Sequence, residues 1–355
     1  MTGLLPEGFH DRLPPFADVA ARLERGVLDV ARLYGYEQVD PPLAEYEDAL
    51  AARLKAGGSR DAVRFVDPVS QKTLAIRPDI TAQIGRIAAT RMGHHPRPLR
   101  LSYAGAVLKL RASQLRPARA LRQIGFELVG ADSVAAAREV VTVAVEALVA
   151  AGVTGISIDF TLPDLVATLG GGDDLAAALD AKDAGRVAAI DRAFLPLIEA
   201  AGPFAAAVDR LRGHDALASR LDGLVAIAEG LPDSVTLTLD PTERHGFEYQ
   251  SWLGLSIFAS GARGEIGRGG SYAVLHEDGR EEPAVGVSLY LDSLLETVPG
   301  AIERRRLFVP LGTAPSDAAS LRADGWVTVA ALDAGDTPEA QLCSHILVKG
   351  APEPA

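Results

Sequence analysis

Apolar residues recur at helical spacing from Asp18 to Tyr34, with charges on the opposite face, and predict an amphipathic helix that Gly35 ends. Ahead of it, Glu7–Pro15 is punctuated by Gly and Pro and reads as a loop. Strand-like runs follow at Tyr36–Val39, Val63–Asp67, Thr73–Arg77 and Leu99–Lys109. Between the last two, Ile80–Met92 reads as a helix, with Asp79 placed to cap it after the helix-stopping Pro78. Leu121–Val129 is a further strand, followed by an Ala/Val-rich helix, Ser133–Ala151, and a strand, Gly155–Leu162. Leu162–Leu231 is rich in Ala and Leu and reads as helical, after which Val235–Asp240, Gly254–Ala259 and Ala284–Leu289 return to strand patterning. Strands on both sides of inserted helices predict an α+β fold with a mostly antiparallel sheet.

From Arg304 the pattern changes to strand (RLFVPLG), helix (SDAASLRADG), strand (WVTVAALD) and strand (LCSHILVKG), closed by a low-complexity APEPA tail. The expected division is therefore a body over 1–302, with a helical insertion at about 163–232, and a short C-terminal α/β domain over 303–355. The basic run Arg304-Arg305-Arg306 at the junction reads as a solvated linker.

Composition narrows the function classes. With 48% hydrophobic and 23% charged residues in 355, the chain is ordinary for a globular protein. Its single cysteine, Cys343, excludes an intrachain disulfide and a cysteine-based zinc cluster, and fits a reducing cytoplasm, the expected location. The N-terminus lacks a basic start and a long apolar run, so no signal peptide is expected. The longest apolar stretches, such as Val141–Val149, are interrupted by Glu146 and too short to span a bilayer, so no membrane partner is expected. A net charge of −12, from 35 basic and 47 acidic residues, argues against a nucleic-acid partner, because phosphate contacts call for Lys and Arg. No metal set emerges. His94 and His95 are adjacent in a Pro-rich loop and are expected to point apart, and the other histidines lack ligand spacing.

Three clusters carry candidate chemistry. Arg77-Pro78-Asp79-Ile80-Thr81 places a carboxylate and a hydroxyl at a helix start, as a cap or as a site. In Arg122–Leu128, Gln123, Gly125 and Glu127 share one strand face and Ile124, Phe126 and Leu128 the other. That polar face lines a pocket, or is the wet face of an antiparallel sheet. Gly264–Tyr272 is glycine-rich without Walker or Rossmann spacing, which favours a close-packed hairpin over a phosphate loop.

These clusters, in this order, resemble histidyl-tRNA synthetase over roughly Pro6–Leu295. Gly35–Pro42 looks like the first class II motif, with Pro42 at the position of the dimer-interface proline. Arg77–Thr81 is similar to the segment that receives the amino acid, and Leu101–Gly130 aligns to the second motif and the histidine-binding strand. Gly246-Phe247-Glu248-Tyr249 looks like the histidine-specific loop, and Gly269-Gly270-Ser271-Tyr272 with Ala284-Val285-Gly286 like the third motif region. The resemblance implies a class II aminoacyl-tRNA synthetase-like antiparallel sheet flanked by helices. It also implies a histidine site of Asp79, Thr81 and Gln123 around the ammonium and Glu127 on the imidazole, with Arg244, His245, Tyr249 and Gln250 nearby.

The departures fall on the ATP apparatus. Where the family has Phe-Arg-x-Glu, this chain has Leu108-Lys109-Leu110-Arg111; where it has Gly-Leu-Glu-Arg, this chain has Tyr290-Leu291-Asp292-Ser293. His245 stands in the slot of the catalytic arginine, Gln250 replaces a tyrosine, and Trp252 a glycine. A lysine lacks the planar fork of arginine, and a serine neither stacks nor carries charge. With a C-terminal unit shorter than an anticodon-binding domain, the pattern resembles the ATP phosphoribosyltransferase regulatory subunits. That likeness implies a non-catalytic chain without cofactor, dimeric through its class II core. It would assemble with a short-form catalytic subunit into a hetero-octamer and use L-histidine as an allosteric feedback effector, without tRNA. Two other readings stay open: a divergent histidyl-tRNA synthetase-like enzyme, and a scaffold that no longer binds histidine.

Overall fold

The computed structural model describes residues 4–51, 62–111, 118–244, 250–298 and 305–355. The chain forms two compact units, Met1–Pro299 and Gly300–Ala355.

In the first unit α1 (Phe16–Leu33) buries Val19, Ala20, Leu23, Val27 and Ala31, the stripe expected from its period. Gly35 follows at φ +83°, a conformation that costs glycine nothing, and turns the chain into β1 (Glu37–Gln38). Two short elements escape the pattern reading: β2 (Ala44–Tyr46) and α2 (Glu47–Ala51). With β3 (Val63–Val66) and β4 (Thr73–Ile76), β2 forms a small three-stranded sheet. The helix expected over Ile80–Met92 is α3 (Thr81–Arg86), continued as a π-helical turn over Ile87–Arg91. His94 and His95 sit in the turn beyond it with ring centroids 4.6 Å apart. They do not point apart as expected, because side chains alternate only on an extended strand.

Next come β5 (Leu99–Leu108), β6 (Ala120–Val129), α4 (Val134–Ala150) and β7 (Ser157–Thr161). The insertion holds α5 (Leu165–Thr168), α6 (Asp173–Asp180), α7 (Ala184–Ile190), α8 (Leu195–Glu199), the two-residue β8 (Gly202–Pro203), α9 (Phe204–Leu211) and α10 (Ala218–Ala228). The chain returns through β9 (Thr236–Leu239), β10 (Gln250–Phe258), β11 (Gly267–Leu275), β12 (Glu281–Tyr290) and α11 (Leu291–Leu294). Helix α4 is apolar nearly all round because it packs against both α1 and α10.

The central sheet has nine strands in the order β1-β5-β6-β12-β11-β10-β7-β9-β8. Only β1 with β5 and β7 with β9 run parallel. One face carries Ile124, Phe126 and Leu128 into the large core beneath α1, α4 and the insertion. The other face is also covered: Ile80, just ahead of α3, and Ile84 of α3 meet Leu101, Tyr103, Val274 and Ala284 in a second apolar cluster. The polar row of β6 therefore lies inside the protein. The glycine-rich stretch is strand, not loop: β11 pairs antiparallel with β12 from Gly267↔Leu289 to Leu275↔Glu281, the close-packed hairpin that its composition favours.

The C-terminal unit is a four-stranded sheet of order β14-β13-β15-β16, from β13 (Arg306–Val309), β14 (Val327–Ala330), β15 (His345–Val348) and β16 (Ala351–Pro354). Its helix is α12 (Ala319–Ala323). The tail read as low-complexity is a strand, His345 facing Pro354 and Leu347 facing Pro352. An edge strand tolerates proline because the missing N–H can lie on its open side.

Candidate functional site

Four of the expected site residues come together on the inner face of the central sheet. Asp79 and Thr81 enter from the start of α3, Gln123 and Glu127 from β6. Asp79 Oδ1 accepts the Thr81 N–H at 2.7 Å and so caps the helix start. Its Oδ2 accepts from Gln123 Nε2 at 2.9 Å. Asp79 thus serves the helix start with one carboxylate oxygen and Gln123 with the other. Gln123 is locked further: its Oε1 accepts the Ile80 N–H at 3.1 Å, and its Nε2 lies 2.7 Å from Ser288 Oγ. Arg77 has a different job. It is buried, donating to the carbonyls of Pro41 at 2.7 Å and Ala106 at 2.8 Å, and braces the entry to α3 against β5.

Glu127 is 1% exposed, which removes the wet-sheet reading. Its Oε1 accepts from Thr81 Oγ1 at 3.2 Å and Tyr103 Oη at 3.1 Å, and its Oε2 from Tyr272 Oη at 2.9 Å. Three hydroxyls donate to this acid, and none of them carries a countercharge. Burial pushes its pKa up to about 8; the hydrogen bonds from Tyr272, Tyr103 and Thr81 pull the other way, and the nearby Asp79 charge adds to the rise. Tyr103 is held well above the usual phenol range by the same burial and by Glu127.

Glycines make this packing possible. Register places Gly286 of β12 opposite Glu127 and Gly125 opposite Ser288. A Cβ on Gly286 would stand 1.5 Å from Glu127 Oε2, and one on Gly125 would stand 2.4 Å from Tyr103 Oη. Tyr103, Tyr272, Ser288 and Gly286 are absent from the expected site list although they build its walls. The signal lay in strand alternation on β5, β11 and β12, but only the pairing register brings those positions to Glu127.

The cavity at this acid is lined by Thr81, Glu127, Gln250, Arg268, Tyr272 and Ser288 among others, with only about 10 Å³ free, room for a single water. Gln250 reaches across its mouth and donates to the Gly269 carbonyl at 2.6 Å. Arg244 stands apart: it is exposed, and its backbone N–H donates to Asp180 at 2.8 Å. His245 and Tyr249 lie outside the described residues. Trp252 offers no obstruction, since it packs into the opposite core beside α10 and donates to the Asp132 carbonyl at 3.0 Å.

A larger cavity of about 600 Å³ lies beside α11, lined by His10, Arg12, Leu13, Phe16, Tyr290 and Ser293 among others. Across it Arg12 pairs with Asp292, whose second oxygen accepts the Arg122 N–H at 3.1 Å, so the third-motif acid holds the N-terminal segment. Ser293 contributes no cation to this wall, and Arg111 is exposed at the end of the second motif. The smaller cavity is the better candidate despite its size, because there a buried acid has only neutral hydroxyls as hydrogen-bond partners. Among the described residues no group of His, Cys, Asp and Glu could hold a metal, and no helix is long and apolar enough to cross a membrane.

The buried acid has a consequence for stability. Between its unfolded value near 4.5 and about 8, the folded chain keeps the Glu127 proton and the unfolded chain does not. The unfolded state binds fewer protons, so Glu127 makes stability fall as pH rises through that window. Thermal unfolding at pH 5.5 and 8.5 is expected to show a smaller loss for Glu127→Gln than for the wild type. Equal losses would show that the side chain ionises freely.

Comparison with known proteins agrees with this fold. The family model for histidyl-tRNA synthetase matches residues 8–294. An ATP phosphoribosyltransferase regulatory subunit of Paramagnetospirillum magneticum is 43% identical over 97% of this chain and 96% of its own length. That of Rhodospirillum centenum is 41% identical over 98% and 95%. Among solved structures, an ATP phosphoribosyltransferase regulatory subunit/histidyl-tRNA synthetase from Bacillus halodurans superposes with a TM-score of 0.79 at 22% identity, covering 96% of both chains. Histidyl-tRNA synthetase from Nostoc superposes with a TM-score of 0.78 at 16% identity, over 98% of this chain and 91% of its own. These two likenesses bear on the fold, which is that of class II synthetases. The chain belongs to the histidyl-tRNA synthetase family and, within it, to the ATP phosphoribosyltransferase regulatory subunits.

Proposed function

We propose that this chain is a non-catalytic regulatory subunit that binds free histidine at Glu127 and transmits its presence to a separate ATP phosphoribosyltransferase catalytic subunit. The observation that carries the reading is the buried Glu127 carboxyl, surrounded by hydroxyl donors and without a cation among its hydrogen-bond partners. An imidazole N–H or imidazolium supplies what this acid lacks. Asp79 and Gln123, two rungs along the same face, offer acceptors for the α-ammonium. A ligand of this size needs more room than the cavity holds, and displacing Gln250 from the Gly269 carbonyl enlarges it. Dimerisation through the class II core, with Pro42 at the interface, and the hetero-octamer belong to the same proposal.

Catalysis by this chain itself is disfavoured by Lys109, Arg111 and Ser293, which leave the ATP side of the site without the guanidinium donors that an adenylate-forming site uses. Two measurements test the proposal. The isolated chain is expected to show no histidine-dependent ATP–pyrophosphate exchange. Mixed with a short catalytic subunit, it is expected to change turnover and to make that turnover sensitive to histidine. The coupling between such sites is typically about 1–3 kcal/mol, which requires histidine to bind two states of the complex unequally. Inhibition of the catalytic subunit by histidine to the same degree without this chain would overturn the sensor role.

A further inference from the structure

The geometry points to Arg268 as the residue that reads the α-carboxylate of the bound amino acid; this deepens the histidine-site proposal and rests on it. A free amino acid brings three things to a site: a side chain, an ammonium and a carboxylate. Glu127, Asp79 and Gln123 answer the first two; none of them brings a positive charge to the third. Among the described residues lining the cavity, Arg268 is the one cation.

Its place is fixed by register. Arg268 of β11 faces Ser288 of β12, and Ser288 faces Gly125 of β6. One row along, Gly270 faces Gly286, and Gly286 faces Glu127. Arg268 and Glu127 therefore project from the same face two strands apart, about 10 Å between strand axes, and form opposite walls over a floor of glycines. A ligand lying across β12 meets the acid at one end and the guanidinium at the other.

The side chain is also held. Arg268 Nε pairs with Glu265, whose same oxygen lies 3.5 Å from Ser256 Oγ, and the Arg268 and Glu265 side chains are 20% and 15% exposed. The planar guanidinium, anchored through Nε, has the shape that matches a carboxylate. By the resemblance an arginine belongs at position 245, and histidine stands there. Arg244, its sequence neighbour, is exposed and tied through its backbone to Asp180. The guanidinium in this pocket comes instead from β11, within the glycine-rich stretch.

The test compares histidine with histamine, which keeps the imidazole and the ammonium and lacks the carboxylate. Calorimetry uses the full chain as wild type, Arg268→Met and Arg268→Lys, with thermal unfolding as the check on folding. The wild type is expected to bind histidine roughly tenfold or more tighter than histamine, since a charge-assisted bidentate pair is lost with the carboxylate. Arg268→Met is expected to lose that discrimination, weakening histidine while leaving histamine within about twofold; Arg268→Lys, which keeps the charge without the fork, is expected to fall between. A wild type that binds both equally overturns the carboxylate role without any variant, and so does a folded Arg268→Met that discriminates as the wild type does. If the wild type binds neither compound, the histidine site itself fails, and the role of Arg268 fails with it.

Discussion

Replacing Glu127 by alanine is expected to weaken histidine binding by roughly ten- to a hundredfold, the worth of a charge-assisted hydrogen bond in a desolvated site once the bound imidazole takes up the Glu127 proton. The magnitude follows from where the acid sits. It is fully enclosed, and its partners Thr81, Tyr103 and Tyr272 are neutral hydroxyls, so a ligand N–H gains an acceptor whose strength water does not dilute. Glu127→Gln keeps the shape and one acceptor oxygen and is expected to lose less. Asp79→Ala is expected to weaken histidine comparably, through the ammonium. The fold is expected to persist in all three, because these side chains line a cavity and three hydroxyls can redirect their protons. Calorimetry against histidine decides the matter, and unchanged affinity in a folded Glu127→Ala would take this residue out of the site.

Gly286→Ala is expected to be the most disruptive single-methyl change in the site. The new Cβ would stand 1.5 Å from Glu127 Oε2 and 2.9 Å from the Phe126 carbonyl oxygen. The first contact can be relieved only by expelling the carboxylate from its three donors. The second involves backbone on the adjacent strand of the ladder and is relieved only by parting β6 from β12. Overpacking of this kind costs about 1–3 kcal/mol and here adds the broken hydrogen bonds. Both a lower unfolding temperature and loss of histidine binding are expected. Gly26→Ala is the control. That glycine lies within α1 with nothing within 4 Å of its Cβ position, so alanine there is expected to stabilise the chain by about 0.5–1 kcal/mol through helix propensity. Chemical denaturation of the two variants is expected to give shifts of opposite sign, and a harmless Gly286→Ala would contradict the close approach of β12 to Glu127.

The two charged groups of the proposed site differ in how they would respond to pH and salt. Glu127 titrates inside the protein, whereas the Arg268–Glu265 pair is partly exposed and is screened by ions. Salt is therefore expected to bear on carboxylate reading more than on imidazole binding, so the histidine-to-histamine comparison is most informative at one fixed ionic strength.

By itself the sequence determined the elements with a strong period and the faces they present. The stripe of α1, the alternation of Gln123, Gly125 and Glu127, and the cap at Asp79 are local consequences of side-chain geometry, and each is where its pattern placed it. Ordered resemblances then supplied the fold, and the family came with them. What only the tertiary structure decided is how those faces are used. Whether the polar row of β6 is wet or buried depends on α3 and β11 covering it, contacts between residues distant in the chain that no window of sequence contains. The short strands β2 and β16 form because neighbours offer ladder partners, a gain that outweighs weak local preference. Tyr103, Tyr272, Ser288 and Arg268 join Glu127 through strand register, and register is fixed by packing across the sheet, while local propensity is blind to it. Arg244, singled out by its nearness to a motif, is exposed and held through its backbone to Asp180, outside the residues that line the cavity.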